Sequence, residues 1–230
     1  RGRARAACAL ARTRAPAALS APRVQVLTDA ASLDALKKRN GQYRTLAQHF
    51  SHVYGVETEQ AHAAKRAFAS SLAAYSVVCY MLQIKDRHNG NILLDKDGHL
   101  IMIDFGWILG IAPGGAVSVE ASVPFKLTTE MVEVMGGVHS GLFAEFVQLF
   151  ASGFLALQLH SEKIVHLIEI MAEHSGFPWC MRAHIFALRL PANGKASTDS
   201  VHRAPRSFHG RDKAEILSRL RSRFRMDLDR

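Results

Sequence analysis

The chain has 230 residues, of which 48% are apolar, and this length and composition support a hydrophobic core and about one domain. Its net charge of +9 comes from the ends, because residues 1–23 hold six Arg and no acid, whereas residues 24–178 hold eleven basic and fifteen acidic residues. Since no DNA- or RNA-binding motif accompanies the basic ends, the composition disfavours nucleic acid as a partner.

The amino-terminal part predicts a disordered segment followed by helices. Residues 1–23 are rich in Arg and Ala and lack acids, with a transit peptide as the alternative interpretation. A short helix is expected over residues 32–38. A long core helix is expected over residues 57–82, because apolar residues recur there at steps of three and four, and Thr58 is placed to cap it.

A motif for phosphoryl transfer follows this helix. Residues 85–91 read Lys-Asp-Arg-His-Asn-Gly-Asn, and Asp-Phe-Gly stands at residues 104–106. Asp86 and Asn91 have the spacing of the catalytic Asp and the metal-binding Asn of protein kinases, in which an Asp-Phe-Gly supplies another metal ligand. The spacing therefore predicts a kinase site, and a charged surface turn is the structural alternative.

The residues between the two motifs predict a β-hairpin. A strand is expected over residues 92–94, a turn ending in Asp-Gly over residues 95–98, and a return strand over residues 99–103. An antiparallel pair of this length places Asn91 and Asp104 at the same end. Their oxygen atoms then converge, as a hard cation such as Mg²⁺ requires.

The activation segment after Asp-Phe-Gly contains no Lys or Arg over residues 107–124. A kinase acting on an inositol ring that already carries further phosphates would need cations here. The composition therefore favours a ring that carries only its diester phosphate, and a loop that lies against a membrane. An ordinary flexible loop is the alternative.

Further helices are predicted over residues 128–135, 140–159 and 161–174. The second is apolar but contains Glu145 and Gln148, which favours a buried helix over a membrane span. Residues 179–206 show little periodicity, and a loop insertion and an unspliced segment are both open interpretations. Residues 207–230 contain a basic helical pattern over 213–224 and are expected to be a truncated, helical C-terminal part of the domain.

The catalytic motif and its flanks resemble one kinase family. The order Asp-Arg-His, instead of His-Arg-Asp, resembles the phosphoinositide 3-/4-kinase superfamily, and Lys85 with Asn89-Gly90 is similar to its type III phosphatidylinositol 4-kinases. Residues 76–84 carry the same resemblance, and residues 125–137 look most like the beta type. The resemblance implies that residues 24–178 form a kinase-like carboxyl-terminal lobe. The expected fold is α+β and mostly α-helical, with a small catalytic β-hairpin.

The resemblance also implies roles for individual residues. Asp86 and His88 are both candidates for accepting the proton of the substrate hydroxyl, and an imidazole of near-neutral pKa suits that task. Lys85 is expected to contact the γ-phosphate or the lipid phosphate, and Arg87 to hold the loop through an ion pair. Asn91 and Asp104 are expected to bind Mg²⁺, with Mn²⁺ as the alternative ion.

The remaining expected contacts involve ATP and the lipid. Leu93 and Ile103 should form the apolar floor beneath the adenine, beside Asp104. Met102 and Trp107 depart from the family pattern, which has His and Phe there, and Met102 removes a hydrogen-bonding side chain behind the metal site. The expected activation-loop or substrate residues are Phe105, Gly106, Trp107, Pro113, Gly114, Gly115 and Lys126.

The implied function is ATP-dependent phosphorylation of phosphatidylinositol at the 4-hydroxyl, in the cytoplasm and peripherally on the Golgi or plasma membrane. One alternative is a Ser/Thr protein kinase of the same superfamily, against which Lys85 and Asn89-Gly90 argue. Another is a non-catalytic fragment. The 230 residues contain no Gly-rich phosphate loop and no strand Lys of an amino-terminal kinase lobe. We therefore expect that lobe as a partner, and little or no kinase activity from this polypeptide by itself.

Overall fold

A computed structural model describes residues 26–39, 45–110, 112–113, 119–172 and 210–225. The predictions for residues 1–23 and 179–206, and those for Gly114 and Gly115, lie outside these ranges. The described residues form strands β1 (Ala30–Ser32), β2 (Ile92–Asp95) and β3 (Leu100–Met102), and helices α1 (Leu33–Arg39), α2 (Leu46–Tyr54), α3 (Glu59–Leu82), α4 (Val119–Ser122), α5 (Thr129–Val134), α6 (Gly141–Leu159), α7 (Ser161–Ala172) and α8 (Gly210–Arg223).

The longest helix, α3, is the central element against which α2, α6, α8 and β3 pack. The predicted cap is confirmed, because the Thr58 hydroxyl accepts the Ala61 amide at 3.0 Å. Phe68 and Leu72, one turn apart, are fully buried in the main core cluster. The helix ends at Gln83, which adopts the left-handed conformation and turns the chain directly into residues 85–91, the predicted catalytic loop.

The predicted hairpin is confirmed as β2 and β3, which pair antiparallel with Ile92 opposite Met102. Its two faces differ, as alternation along a strand requires. One face is buried and consists of Ile92, Leu94, Leu100 and Met102. The other face is half-buried and carries Leu93 opposite Ile101.

Three contacts seat the hairpin on α3. The Leu100 amide donates to the Ser71 hydroxyl at 2.9 Å. Met102 is buried with its Sδ 3.6 Å from the Sγ of Cys79. At the turn, Gly98 has φ of +90°, and a Cβ there would lie 2.6 Å from the carbonyl oxygen of Ala64. The turn therefore needs a glycine, both for its backbone conformation and for close approach to the helix.

A third strand, β1, was not predicted. It pairs antiparallel with β2, with Ser32 opposite Leu93, so the sheet has the order β1-β2-β3. β1 has only three residues, two of them Ala. It therefore shows neither the alternation nor the β-branched side chains by which a strand is predicted. The predicted first helix is confirmed as α1, and the Ser32 hydroxyl caps it by accepting the Ala35 amide.

Helix α6 differs from its prediction as a buried helix. Ser140 caps it and its packed side includes Phe146, but only 11% of its most apolar stretch is buried. Val147 is 47%, Leu155 52% and Leu159 63% exposed. By length and composition, α6 is the one described helix that qualifies to cross a membrane. Apolar residues occur all around this helix, so the sequence does not distinguish the side that packs on α3 from the exposed side.

The predicted basic helix is confirmed as α8, which packs against α7 and α3. Leu220 and Phe224 anchor it in a second core cluster that also contains Leu109. The guanidinium of Arg223 lies over the ring of Tyr80, 5.0 Å from its centroid. These contacts bring a basic helix close to the point where α3 enters the catalytic loop.

The seating of the hairpin predicts unequal costs for two glycine substitutions. Gly98→Ala should lower the free energy of unfolding by about 1 kcal/mol, because of the left-handed backbone. The clash with the Ala64 carbonyl should lower it further. Gly137→Ala is the matched control, because Gly137 has φ of +92° and a Cβ added there would meet nothing within 4 Å. Urea unfolding measures both variants, and equal losses would contradict the close packing of the turn on α3.

Candidate active site

The hairpin register brings the two predicted metal ligands to one end of the sheet. Beyond the last paired residues of β2 and β3, the Ile103 amide donates to the Asn91 carbonyl at 3.0 Å. Asp104 is the next residue, so it stands beside Asn91 as the spacing predicted. The pairing of the two strands, rather than any contact between the ligands themselves, fixes this arrangement.

Asp86 has a strained backbone that is held from two sides. Its φ is +62°, in the left-handed region, which costs a residue other than glycine about 1 kcal/mol. The Asn91 side-chain amide donates to the Asp86 carbonyl at 3.0 Å and lies 3.4 Å from its carboxylate. The Asp86 amide donates to the carboxylate of Glu120 in α4 at 2.7 Å. These contacts compensate the strain and set the direction of the Asp86 side chain.

His88 lies beside Asp86, and its hydrogen bonding distinguishes its two ring nitrogens. Nδ1 accepts the Gly90 amide at 3.0 Å, and Nε2 lies 3.9 Å from the Asp86 carboxylate. A neutral imidazole whose Nδ1 accepts a hydrogen bond carries its proton on Nε2. The nitrogen that faces Asp86 therefore has no lone pair available, whereas the carboxylate does. Of the two candidates, this geometry favours Asp86 as the proton acceptor.

Arg87 connects the catalytic loop to the Asp-Phe-Gly segment by donating to backbone carbonyls, rather than through the predicted ion pair. Nε donates to the Lys85 carbonyl at 2.9 Å, and one terminal nitrogen donates to the Ile103 carbonyl at 2.7 Å. The other terminal nitrogen donates to the Asp104 carbonyl. The guanidinium also lies over the ring of Phe105, 5.5 Å from its centroid. A planar group with five donors suits this bridging position, and a single ammonium does not.

Lys85 is directed at the activation segment. Its side chain is buried, with 5% of the residue exposed, and its Nζ donates to the Val123 carbonyl at 2.5 Å. Burial lowers the pKa of Lys85, and Arg223 lowers it further while Glu120 raises it. In this conformation the ammonium holds the segment, and its contact with a phosphate stays a prediction.

Lys126, two residues beyond the activation segment, makes the reciprocal contact to the catalytic loop. Its Nζ donates to the Arg87 carbonyl at 2.8 Å and to the Asn89 side chain at 3.1 Å. Burial lowers the pKa of Lys126, and the nearby Glu120 carboxylate opposes this shift. The structure thus brings Lys126 to the site as an anchor of the loop.

The structure also describes the other predicted site residues, apart from Gly114 and Gly115. Leu93 and Ile103 lie on the half-buried face of the hairpin, so the adenine-floor prediction fits the placement and stays untested. Asp104 is exposed, has φ of +59° and accepts the Gly106 amide at 3.3 Å. Trp107 accepts the Lys85 amide through its carbonyl at 2.8 Å. Phe105 and Pro113 are half-buried.

The donor set fits a hard divalent cation. Because the Asn91 side-chain nitrogen donates to Asp86, its oxygen is the atom left for a metal, and the exposed Asp104 carboxylate supplies a second oxygen ligand. Mg²⁺ in kinases is held by few protein oxygens and completes its shell with phosphates and water. A second group of ligand-type residues, Asp95, Asp97 and His99, lies at the turn, at the opposite end of the hairpin.

Sequence reasoning missed two features of this site. Glu120 was not predicted to belong to the site. The sequence signal that could have indicated it is that Glu120 is the only charged residue between Asp104 and Lys126. Met102, noted for lacking a polar side chain, instead completes the packing of the hairpin against Cys79. Burial raises the pKa of the Cys79 thiol to about 11, so this cysteine is a packing residue and not a nucleophile.

Comparisons with known proteins agree on one family. Residues 11–181 match the family model described as phosphatidylinositol 3- and 4-kinase. The chain is 48% identical over 149 residues to a phosphatidylinositol 4-kinase of Dictyostelium discoideum, covering 64% of this chain and 12% of that protein. It is 44% identical over 168 residues to phosphatidylinositol 4-kinase PIK1alpha of Candida albicans, covering 67% and 17%.

A mammalian protein is similar over a comparable part of the chain. Phosphatidylinositol 4-kinase beta of Rattus norvegicus is 42% identical over 156 residues, covering 67% of this chain and 19% of that protein. The chain thus spans between 12% and 19% of the length of these three relatives.

The bridging by Arg87 predicts a large loss of stability on a conservative substitution. Arg87→Lys leaves buried carbonyls of both loops without donors and should lower the free energy of unfolding by about 3 kcal/mol. Arg66→Lys, on the exposed side of α3, is the matched control and should change it by less than about 0.5 kcal/mol. Urea denaturation measures both, and equal stabilities would show that the carbonyl contacts do not hold the loops together.

Proposed function

This chain belongs to the phosphatidylinositol 3- and 4-kinase family, and we propose that it supplies the hydroxyl-orienting and metal-binding half of a kinase that phosphorylates phosphatidylinositol at the 4-hydroxyl. One observation carries the proposal. The loop with Asp86 and Asn91 meets Asp104 at one end of a hairpin, in a chain 42–48% identical to three proteins named phosphatidylinositol 4-kinases.

The proposed chemistry assigns one step to Asp86. The 4-hydroxyl oxygen forms a bond to the γ-phosphorus of ATP, and the bond from that phosphorus to the β–γ bridging oxygen breaks, which releases ADP. Asp86 orients the hydroxyl and takes its proton, since its carboxylate has a free lone pair where His88 presents an N–H. Nε2 of His88 lies 3.9 Å from that carboxylate, beyond hydrogen-bond distance.

The metal ligands follow from the same geometry. Asn91, through its side-chain oxygen, and Asp104 would hold Mg²⁺, or Mn²⁺ as the alternative ion. When bound, this ion neutralises charge on the phosphates of ATP. The chain's own contribution is to hold the two oxygen ligands directly beside the paired ends of β2 and β3, where the Ile103 amide donates to the Asn91 carbonyl.

The proposed lipid is one whose inositol ring carries only the diester phosphate. Residues 107–124 contain no Lys or Arg, and the two lysines in contact with or next to this segment, Lys85 and Lys126, are already engaged. Lys85 donates to Val123, and Lys126 donates to Arg87 and Asn89. Additional ring phosphates would therefore find few partners here, which supports phosphatidylinositol itself as the substrate.

The proposed location is the cytoplasmic surface of membranes that contain this lipid, at the Golgi or the plasma membrane. The substrate class and the apolar, Gly-rich sequence of the activation segment support peripheral association. The amino-terminal kinase lobe, which in this family would supply the other contacts to ATP, is the proposed partner in the cleft.

A substrate comparison tests the proposed function. The native gene product that contains these residues is incubated with labelled ATP and Mg²⁺, and with vesicles of phosphatidylinositol, vesicles of its 4-phosphate, or a Ser/Thr peptide. Label should enter phosphatidylinositol alone and at the 4-position. Asp104→Ala should lower the turnover roughly 100-fold by removing a metal ligand.

Asp97→Ala is the matched control, because Asp97 is an exposed carboxylate at the far end of the same hairpin. It should keep the wild-type turnover. Phosphorylation of the peptide instead of the lipid would point to the protein-kinase alternative. Label that enters neither substrate would point to a non-catalytic fragment, and turnover retained in Asp104→Ala would remove the proposed metal site.

A further inference from the structure

The backbone of Asp86 is fixed by one contact from inside its loop and by one from a distant segment. Asn91 donates to the Asp86 carbonyl at 3.0 Å, and both residues belong to the catalytic loop. The Asp86 amide donates to Glu120 at 2.7 Å, and Glu120 lies 34 positions later, in α4 of the activation segment. The left-handed conformation of Asp86 is thus held partly by a residue outside the loop.

The same two segments exchange further contacts around Glu120. Lys85 of the loop donates to the Val123 carbonyl, and Lys126, two residues beyond the segment, donates to the Arg87 carbonyl. Burial lowers the pKa of Lys85, Arg87 and Lys126, and the carboxylate of Glu120 opposes each of these shifts. We call these reciprocal contacts, made by Lys85, Glu120 and Lys126, the loop clasp.

Glu120 differs from the two lysines of the loop clasp in the atom that it reaches. Lys85 donates to the Val123 carbonyl, and Lys126 donates to the Arg87 carbonyl and to the Asn89 side chain. None of these acceptors takes part in the proposed chemistry. Glu120 accepts the amide of the proposed proton acceptor itself. A hydrogen bond to a carboxylate is about twice as strong as one to a neutral acceptor, which suits a contact that holds strained backbone.

We propose that Glu120 is a positioning residue, which holds Asp86 in its reactive conformation and makes that conformation depend on a seated activation segment. The proposal deepens the proposed function and rests on it for the kinetic consequence alone. Without Glu120 at this position, the Asp86 amide would lose its acceptor and the left-handed conformation would lose one of these two supports. The segment that is proposed to meet the lipid thereby also controls the residue that takes the proton.

Hydrogen exchange at a single amide tests the contact without any assay of activity. In the 230-residue chain, Glu120→Ala should speed exchange of the Asp86 amide roughly 10- to 100-fold. Glu120→Gln keeps an oxygen acceptor and should speed it less than about 10-fold. Glu130→Ala is the matched control, since Glu130 pairs with Lys37 and should leave the exchange of Asp86 unchanged.

The kinetic arm uses the native gene product with phosphatidylinositol vesicles. Glu120→Ala should lower kcat roughly 10- to 100-fold with the KM for ATP unchanged, and Glu120→Gln should restore most of kcat. Equal defects in the Ala and Gln variants would overturn the proposal, because Glu120 would then act only by neutralising the three cations. Unchanged Asp86 exchange in Glu120→Ala would also overturn it. Absence of lipid-kinase turnover in the wild type would refute the proposed function, and the exchange result would still decide the role of Glu120.

Discussion

The seating of the β2–β3 hairpin on α3 is the contact on which the site depends. It combines a hydrogen bond from Leu100 to Ser71, the packing of Met102 on Cys79, and the close approach of Gly98 to the helix. Because α3 also delivers the chain into the catalytic loop at Gln83, one helix positions both the loop and the strands that follow it. The end of the hairpin and the start of the loop are therefore placed by the same core.

The site combines strained backbone with many fixed polar contacts. Asp86 and Asp104 both have φ near +60°, a conformation that persists only where surrounding contacts compensate it. Arg87 supplies donors to carbonyls on both sides of the site, and Asn91 and Glu120 hold the Asp86 peptide groups. Buried polar groups that are all paired give a rigid arrangement, which phosphoryl transfer needs because positioning supplies most of its catalysis.

The sequence predicted the elements whose signals are local. The hairpin was predictable from its Asp-Gly turn and short apolar strands, and α3 from its period and from the cap at Thr58. Features that depend on distant contacts were not predictable: β1 exists through pairing with β2, and Lys85 reaches a carbonyl 38 positions away. The burial of α6 was predicted wrongly, because its apolar residues do not mark the side that α3 covers.

In the proposed site, Asn91 and Asp104 together hold one divalent cation at the end of the hairpin. Replacing either ligand by Cys substitutes a soft sulfur ligand for a hard oxygen, which shifts the preference from Mg²⁺ towards Cd²⁺. In the native gene product, both Asn91→Cys and Asp104→Cys should lose turnover with Mg²⁺ and regain it, by roughly 10-fold or more, with Cd²⁺. Recovery in one variant alone, or in neither, would contradict a shared cation at this position.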